Sequence, residues 1–119
     1  MVLLFSTHVE PPRNETPDQK VQREKDDREA KWNSDNGKID ALVMSEHFVK
    51  QKLKAPSSAD FPYINDRQVV VVHKGGGRFI VQSYVDAQNA FGAKLRTRYQ
   101  CELKQLEGQN WQLITLDMK

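Results

Sequence analysis

Residues 94–104, Lys-Leu-Arg-Thr-Arg-Tyr-Gln-Cys-Glu-Leu-Lys, alternate between apolar or small side chains and charged or amide side chains. In an extended chain, successive side chains point to opposite faces, so this stretch has one apolar face and one largely basic face. Such alternation predicts a β-strand of an antiparallel sheet that is buried on one side and solvated on the other. The predicted buried face comprises Leu95, Thr97, Tyr99, Cys101 and Leu103.

Further strand patterns lie on both sides of this stretch. A run of four valines precedes it, followed by a Lys-Gly-Gly-Gly loop, and a Trp-containing apolar segment comes after it. The intervening segments are short and contain glycine, which is typical of turns between paired strands. The sequence therefore predicts an antiparallel meander with strands at 69–73, 78–86, 94–104 and 111–117.

A helix is predicted over residues 39–54, between the turn-forming cluster at 34–37 and Pro56. Proline cannot continue the helical hydrogen-bond ladder, and the residue before it avoids the helical region. One apolar stripe contains Ile39, Leu42, Val43, Val49 and Leu53, while Met44 and Phe48 lie almost opposite. The helix is thus expected to be covered on both sides.

These elements predict a single α+β domain over residues 37–119, in which one helix packs on the four-stranded meander. In outline this resembles a cystatin-like or nuclear-transport-factor-like roll. The helix is the available cover for the apolar face of the sheet, because a sheet must bury that face against another layer.

Residues 1–36 are predicted to form a flexible polar leader. They contain too few apolar side chains to bury a core, although residues 19–31 are rich in helix formers and a solvated helix could form there. Trp32 would either dock this leader on a partner or pack back on the domain. Residues 1–40 carry seven basic and nine acidic side chains, whereas residues 41–119 carry eleven and seven.

The composition excludes several classes of protein. The net charge of +2 is too small to indicate a charged partner, and a single cysteine excludes an internal disulfide framework. Insertion into a membrane is not expected, because there is no apolar run of about 18 residues. The apolar segment 2–5 is shorter than the roughly 7–15 residues of a signal peptide. The expected location is cytoplasmic for the sequence as it stands, and envelope or exported if the native start lies upstream.

The sequence predicts neither catalytic nor metal-binding residues, and no cofactor. Cys101 falls on the predicted buried face, where a thiol is inert. His8, His47 and His73 lack the spacing of a metal site. The Gly75–Gly77 loop is interpreted as a hairpin turn, because neither a Gly-Lys-Ser/Thr motif nor a helix follows it.

The candidate binding surface lies around the turn between the second and third strands, because polar residues on loops are often functional. In the alternative interpretation, Asp86 and Asn89 hydrogen-bond the backbone of the turn itself and Gly92 supplies a positive φ. The candidate residues are Asp86, Gln88, Asn89, Lys94, Arg96 and Arg98.

Two segments carry a resemblance to a known family: FVKQKLKAPSSADFP at 48–62 and YVDAQNAFGAKLR at 84–96. Together they resemble a small domain of uncharacterised bacterial and phage proteins, over roughly residues 41–117. In such proteins the domain often follows a membrane anchor or a lipoprotein signal. The resemblance implies no activity.

Three hypotheses for function follow from these residues. The first is a non-enzymatic module that binds another protein. The second is a small ligand-binding cup or enzyme, with a pocket lined by Phe48, Tyr99 and Trp111. The third is a weak nucleic-acid binder that uses the basic strand face, which is disfavoured because aromatic side chains do not alternate with these charges.

Overall fold

A computed structural model describes residues 14–119 and confirms the α+β class with a four-stranded antiparallel sheet. The part of the predicted leader at residues 1–13 lies outside the described residues. The elements are α1 (Pro17–Asn33), α2 (Asp35–Lys50), a short 3-10 turn (Pro56–Ser58), β1 (Val70–Gly75), β2 (Arg78–Gln88), β3 (Lys94–Gln105) and β4 (Trp111–Met118).

The four strands form a meander in the order β1-β2-β3-β4. Val81 of β2 lies opposite Cys101 of β3, and Leu103 lies opposite Leu113 of β4. Because the side-chain period of a strand is two, this register places the apolar sets of neighbouring strands on the same face. We call this the inner face and the opposite one the outer face.

The inner face packs against α2 and forms the core. Ala41 and Ser45 of α2 are fully buried, and these small side chains allow the helix to approach the sheet closely. Tyr99 reaches across the interface, where its hydroxyl lies 2.9 Å from Ser45 Oγ. Burial raises the pKa of Tyr99 to about 12. The core cluster contains Ala41, Leu42, Val49, Phe79, Val81, Val85, Ala87, Tyr99, Cys101 and Leu103.

The predicted apolar stripe of α2 is only partly correct. Ile39 and Val43 are 37% and 53% exposed, because the face that meets the sheet is centred on Ala41, Ser45 and Val49. The helix begins at Asp35, inside the predicted turn cluster, because Ser34 is its N-cap, and it ends at Lys50, so that both ends lie four residues earlier than predicted. Leu53 still packs against the core.

The structure has a second helix where the sequence analysis predicts only a possible solvated one. Thr16 caps α1: its hydroxyl accepts from the backbone N–H of Gln19, whose side chain accepts in return from the N–H of Thr16. Ser34 ends α1 and is also the N-cap of α2. The two helices therefore meet at an elbow of a single residue.

Glu46 of α2 provides a test of the packing by pH. Burial raises its pKa from 4.5 to about 7, opposed by the charge of Lys50. A raised pKa in the folded state stabilises the fold below pH 4.5, and this contribution is lost as the pH rises through 7. We expect Glu46→Gln to raise the free energy of unfolding at pH 8 by about 1 kcal/mol, since partial solvation reduces the penalty.

Urea unfolding at pH 4 and pH 8 measures this effect. At pH 4 the variant and the wild type should be equally stable. Asp40→Asn is the control, because Asp40 is an exposed residue of the same helix. It should leave the difference between the free energies of unfolding at pH 4 and pH 8 unchanged. An equal gain for Glu46→Gln at both pH values would contradict the prediction.

Among residues 14–119, the structure contains no helix that combines the length and apolar character needed to cross a membrane.

Candidate functional site

The outer face of β2 and β3 carries a cluster of polar and aromatic side chains built on directly opposed residues. Asp86 lies opposite Arg96. The guanidinium donates from Nε to Asp86 Oδ1 at 2.8 Å and from a terminal nitrogen to Oδ2 at 3.0 Å. The same guanidinium lies 3.9 Å from the centroid of the Tyr84 ring, within the range of a cation–π contact. Arg96 is thus held in one orientation.

Asp66 fixes the other side of Tyr84. The tyrosine hydroxyl donates to Asp66 Oδ2 at 2.8 Å, while the backbone N–H of Gln68 donates to Oδ1 at 2.8 Å. The hydrogen bond from Gln68 lowers the pKa of Asp66 most strongly, and the one from Tyr84 lowers it further. The hydrogen bond from Arg96 likewise lowers the pKa of Asp86. Both carboxylates therefore stay charged at neutral pH and keep the cluster rigid.

The turn between β2 and β3 is held by its own side chain. Asn89 Oδ1 accepts from the backbone N–H groups of Phe91 and Ala93 at 2.9 and 3.0 Å, and Gly92 has a φ of 81°. For Asn89 the structure agrees with the alternative interpretation, in which its side chain hydrogen-bonds the backbone of the turn. The Asp86 side chain binds Arg96 instead. Gln88 is exposed, and its backbone N–H donates to Ser58 Oγ at 2.9 Å.

Apolar side chains are exposed at this end of the sheet. Phe91 is 93% exposed and Leu95 is 55% exposed. The prediction that Leu95 is buried is wrong. Leu95 lies opposite Ala87, close to the turn, and the cover that α2 gives to Tyr99 and Cys101 does not extend to it.

The basic row of β3 is partly neutralised. Lys94 Nζ lies 3.7 Å from Asp60, and Arg96 is paired with Asp86. Arg98 is exposed and takes part in none of the ion pairs among the described residues. It lines a shallow groove of about 420 Å³ together with Arg67, Gln82, Gln100, Asp117 and Lys119, among others.

Among residues 14–119, the two titratable side chains Cys101 and Glu102 are not available for catalysis. Cys101 is 1% exposed, and burial raises the pKa of its thiol to about 12. Glu102 is paired with Arg78 and Lys74, which lower its pKa, the hydrogen bond from Arg78 most strongly. Within residues 14–119, no three His, Cys, Asp or Glu side chains are placed to hold a metal ion.

Sequence reasoning missed a second polar cluster, where α1 meets the turn between β1 and β2. His73 Nδ1 lies 2.9 Å from Asn33 Oδ1, and His73 Nε2 accepts from the N–H of Gly77 at 3.1 Å. Glu29 accepts from the N–H of Gly76 at 2.9 Å. Burial lowers the pKa of His73, so the ring is neutral at pH 7. The one residue in the sequence that indicates this contact is Trp32, a large apolar residue at the end of a polar segment.

Comparison of this chain with protein-family models, with curated proteins and with solved structures finds no match.

Proposed function

We propose that this chain is a non-enzymatic module that binds another protein through the β2–β3 hairpin and the adjoining outer face of the sheet. The observation that carries the proposal is the exposure of Phe91, at 93%, on a rigid support. The hydrogen bonds to Asn89 and the paired Asp86 and Arg96 fix the hairpin below it. An aromatic side chain presented in this way loses little conformational entropy when it enters a partner.

The chemistry of the partner follows from the side chains beside Phe91. Leu95 extends the apolar surface on the inner side of the same hairpin, and Arg98, which is in none of the ion pairs among the described residues, supplies positive charge on the outer face. Aromatic and arginine side chains are the residues that most often dominate binding energy at protein interfaces. The proposed partner therefore presents an apolar pocket with an acidic rim.

Packing in the core and ion pairing on the outer face favour this proposal over the other hypotheses. Tyr99, which the cup hypothesis places at a pocket, is buried and hydrogen-bonded to Ser45, and Trp111 packs against Phe79 at a ring separation of 5.6 Å. The nucleic-acid hypothesis is disfavoured because Lys94 and Arg96 already have carboxylate partners. Few basic side chains of this row are then left to contact a phosphate backbone.

The test is affinity capture from the native host with the full chain. We expect the wild type to retain a partner that Phe91→Ser does not retain. With that partner purified, the variant should bind about 30-fold more weakly, the effect of removing a central aromatic contact. Arg98→Ser should weaken binding less and reduce its dependence on salt, as expected for a charge at the rim.

Tyr63→Ser is the matched control, because Tyr63 is an aromatic residue of similar exposure, 84%, outside the hairpin. It should retain the partner with unchanged affinity. Equal capture by Phe91→Ser and Tyr63→Ser would refute the proposed surface, as would a captured protein that lacks acidic side chains at its contact site.

A further inference from the structure

A cleft lies at the opposite end of the sheet from the β2–β3 hairpin, between α1 and the turns β1–β2 and β3–β4. Its volume is about 660 Å³, within the range of sites for small ligands. The lining residues that matter for its chemistry are Arg28, Lys31, Trp32, Lys104, Gln105 and Glu107.

One side chain ties the two walls of this cleft together. Gln105 Oε1 accepts from Trp32 Nε1 at 2.9 Å, and Gln105 Nε2 donates to the carbonyl of Gly108 at 3.1 Å. The first bond holds the wall formed by α1, and the second holds the wall formed by the β3–β4 turn. The tilted packing of Trp32 on His73, at a ring separation of 5.4 Å, further fixes the indole. The cleft is therefore formed before any ligand binds.

The cations of the cleft have no ion-pair partner in the part of the chain that the structure describes. Within residues 14–119, none of the ion pairs shorter than 4.0 Å includes Arg28, Lys31 or Lys104. Arg28 and Lys31 each have an acidic residue four positions earlier on α1, where a helical ion pair could form. Asp27 instead lies 3.5 Å from Arg23. The two cations line the cleft, with Lys104 on the other wall.

We propose that this cleft binds a small phosphorylated ligand with a planar ring, of the nucleoside monophosphate class. Three cations against one carboxylate, Glu107, leave a positive balance that matches the charge of about −1.5 to −2 on a phosphate monoester. Trp32 supplies an aromatic surface on which a base stacks, an interaction that does not depend on which base is present. The proposal is independent of the protein-binding surface, which uses none of these residues.

The experiment is calorimetric titration of the full chain with adenosine 5′-monophosphate, adenosine and inorganic phosphate as separate probes. We expect the monophosphate to bind at least about tenfold more tightly than either part alone, because ring and phosphate are recognised together. The double substitution of Arg28 and Lys31 by alanine should weaken this binding by about tenfold or more. Arg28→Ala alone and Lys104→Ala should each weaken it less.

Lys20→Ala and Lys25→Ala are matched controls, since both lysines are exposed on α1 outside the cleft. They should bind the monophosphate as the wild type does. No saturable binding, or equal weakening by cleft and control variants, would overturn the proposal. Binding of a short oligodeoxyadenylate about a hundredfold tighter than the monophosphate would assign the cleft to single-stranded nucleic acid instead, and would also overturn it.

Discussion

Gly37→Ala is expected to lower the free energy of unfolding by about 3 kcal/mol, the upper end of the cost of overpacking a buried site. A Cβ at this position would clash with the carbonyl oxygen of Lys31 and would lie 2.9 Å from that of Trp32. Both atoms belong to the backbone at the end of α1, so neither can rotate away. The helices must move apart at the elbow, which withdraws α1 from the sheet.

Urea unfolding measures the loss of stability, and hydrogen exchange of the α1 amides measures the withdrawal of the helix. Asn36→Ala is the control, because Asn36 is the exposed neighbour of Gly37 in the same turn of α2. That substitution should change the stability by less than about 0.5 kcal/mol. If the two variants unfolded at the same urea concentration, the close contact at the elbow would be refuted.

The sheet could be predicted from the sequence because its information is local. Strict alternation in residues 94–104 and the glycine turns on both sides determine which face is buried and how neighbouring strands connect. The bounds of the strands agree with the structure within one or two residues. What the alternation does not report is how far the helix extends along the sheet. That extent decides the exposure of Leu95, and it depends on packing between distant segments.

The helical layer was predicted less well for a physical reason. The polar helix α1 buries no residue completely. Its sequence therefore lacks the apolar stripe that would predict its packing on the sheet. Its attachment depends on a few contacts at its C-terminal end, with partners 40 to 73 positions away in the sequence, such as His73 and Gln105. The buried face of α2 also differs from the predicted one. It is centred on the small residues Ala41 and Ser45, whose hydrophobicity is too low to mark a buried face in the sequence. The more hydrophobic Ile39 and Val43 were expected there instead.

For the candidate residues, the sequence predicts their positions on the sheet but not the contacts that they make. The residues do gather on the β2–β3 hairpin and the outer face of β3, since alternation assigns their faces. The pairing of Asp86 with Arg96 follows from the cross-strand register, and alternation alone would also allow a register shifted by two residues. Phe91, which is 93% exposed on this hairpin, is not among the candidate residues, because an aromatic residue in a turn is indistinguishable by composition from one that packs inward.

Trp32→Ala is expected to detach α1 from the sheet and to lower the free energy of unfolding by about 3 kcal/mol, the lower end of the cost of truncating a core tryptophan, because Trp32 is only partly buried. The indole contacts His73 and packs against Gly77, and its N–H binds Gln105. Truncation removes this apolar contact and leaves the amide of Gln105 with one fewer partner. Because α1 has no completely buried residue, the remaining contacts are too few to hold it.

Two variants separate the contribution of the ring from that of its N–H. Trp32→Phe keeps an aromatic ring beside His73 and loses the bond to Gln105, so it should cost about 1 kcal/mol. Val21→Ala, at a residue of α1 that is 57% exposed, should cost less than about 0.5 kcal/mol. Hydrogen exchange of the α1 amides should accelerate strongly in Trp32→Ala, slightly in Trp32→Phe and little in Val21→Ala. Rapid exchange in the wild type as well would mean that α1 is not docked, and the cleft that it forms with the two turns would then lose one of its walls.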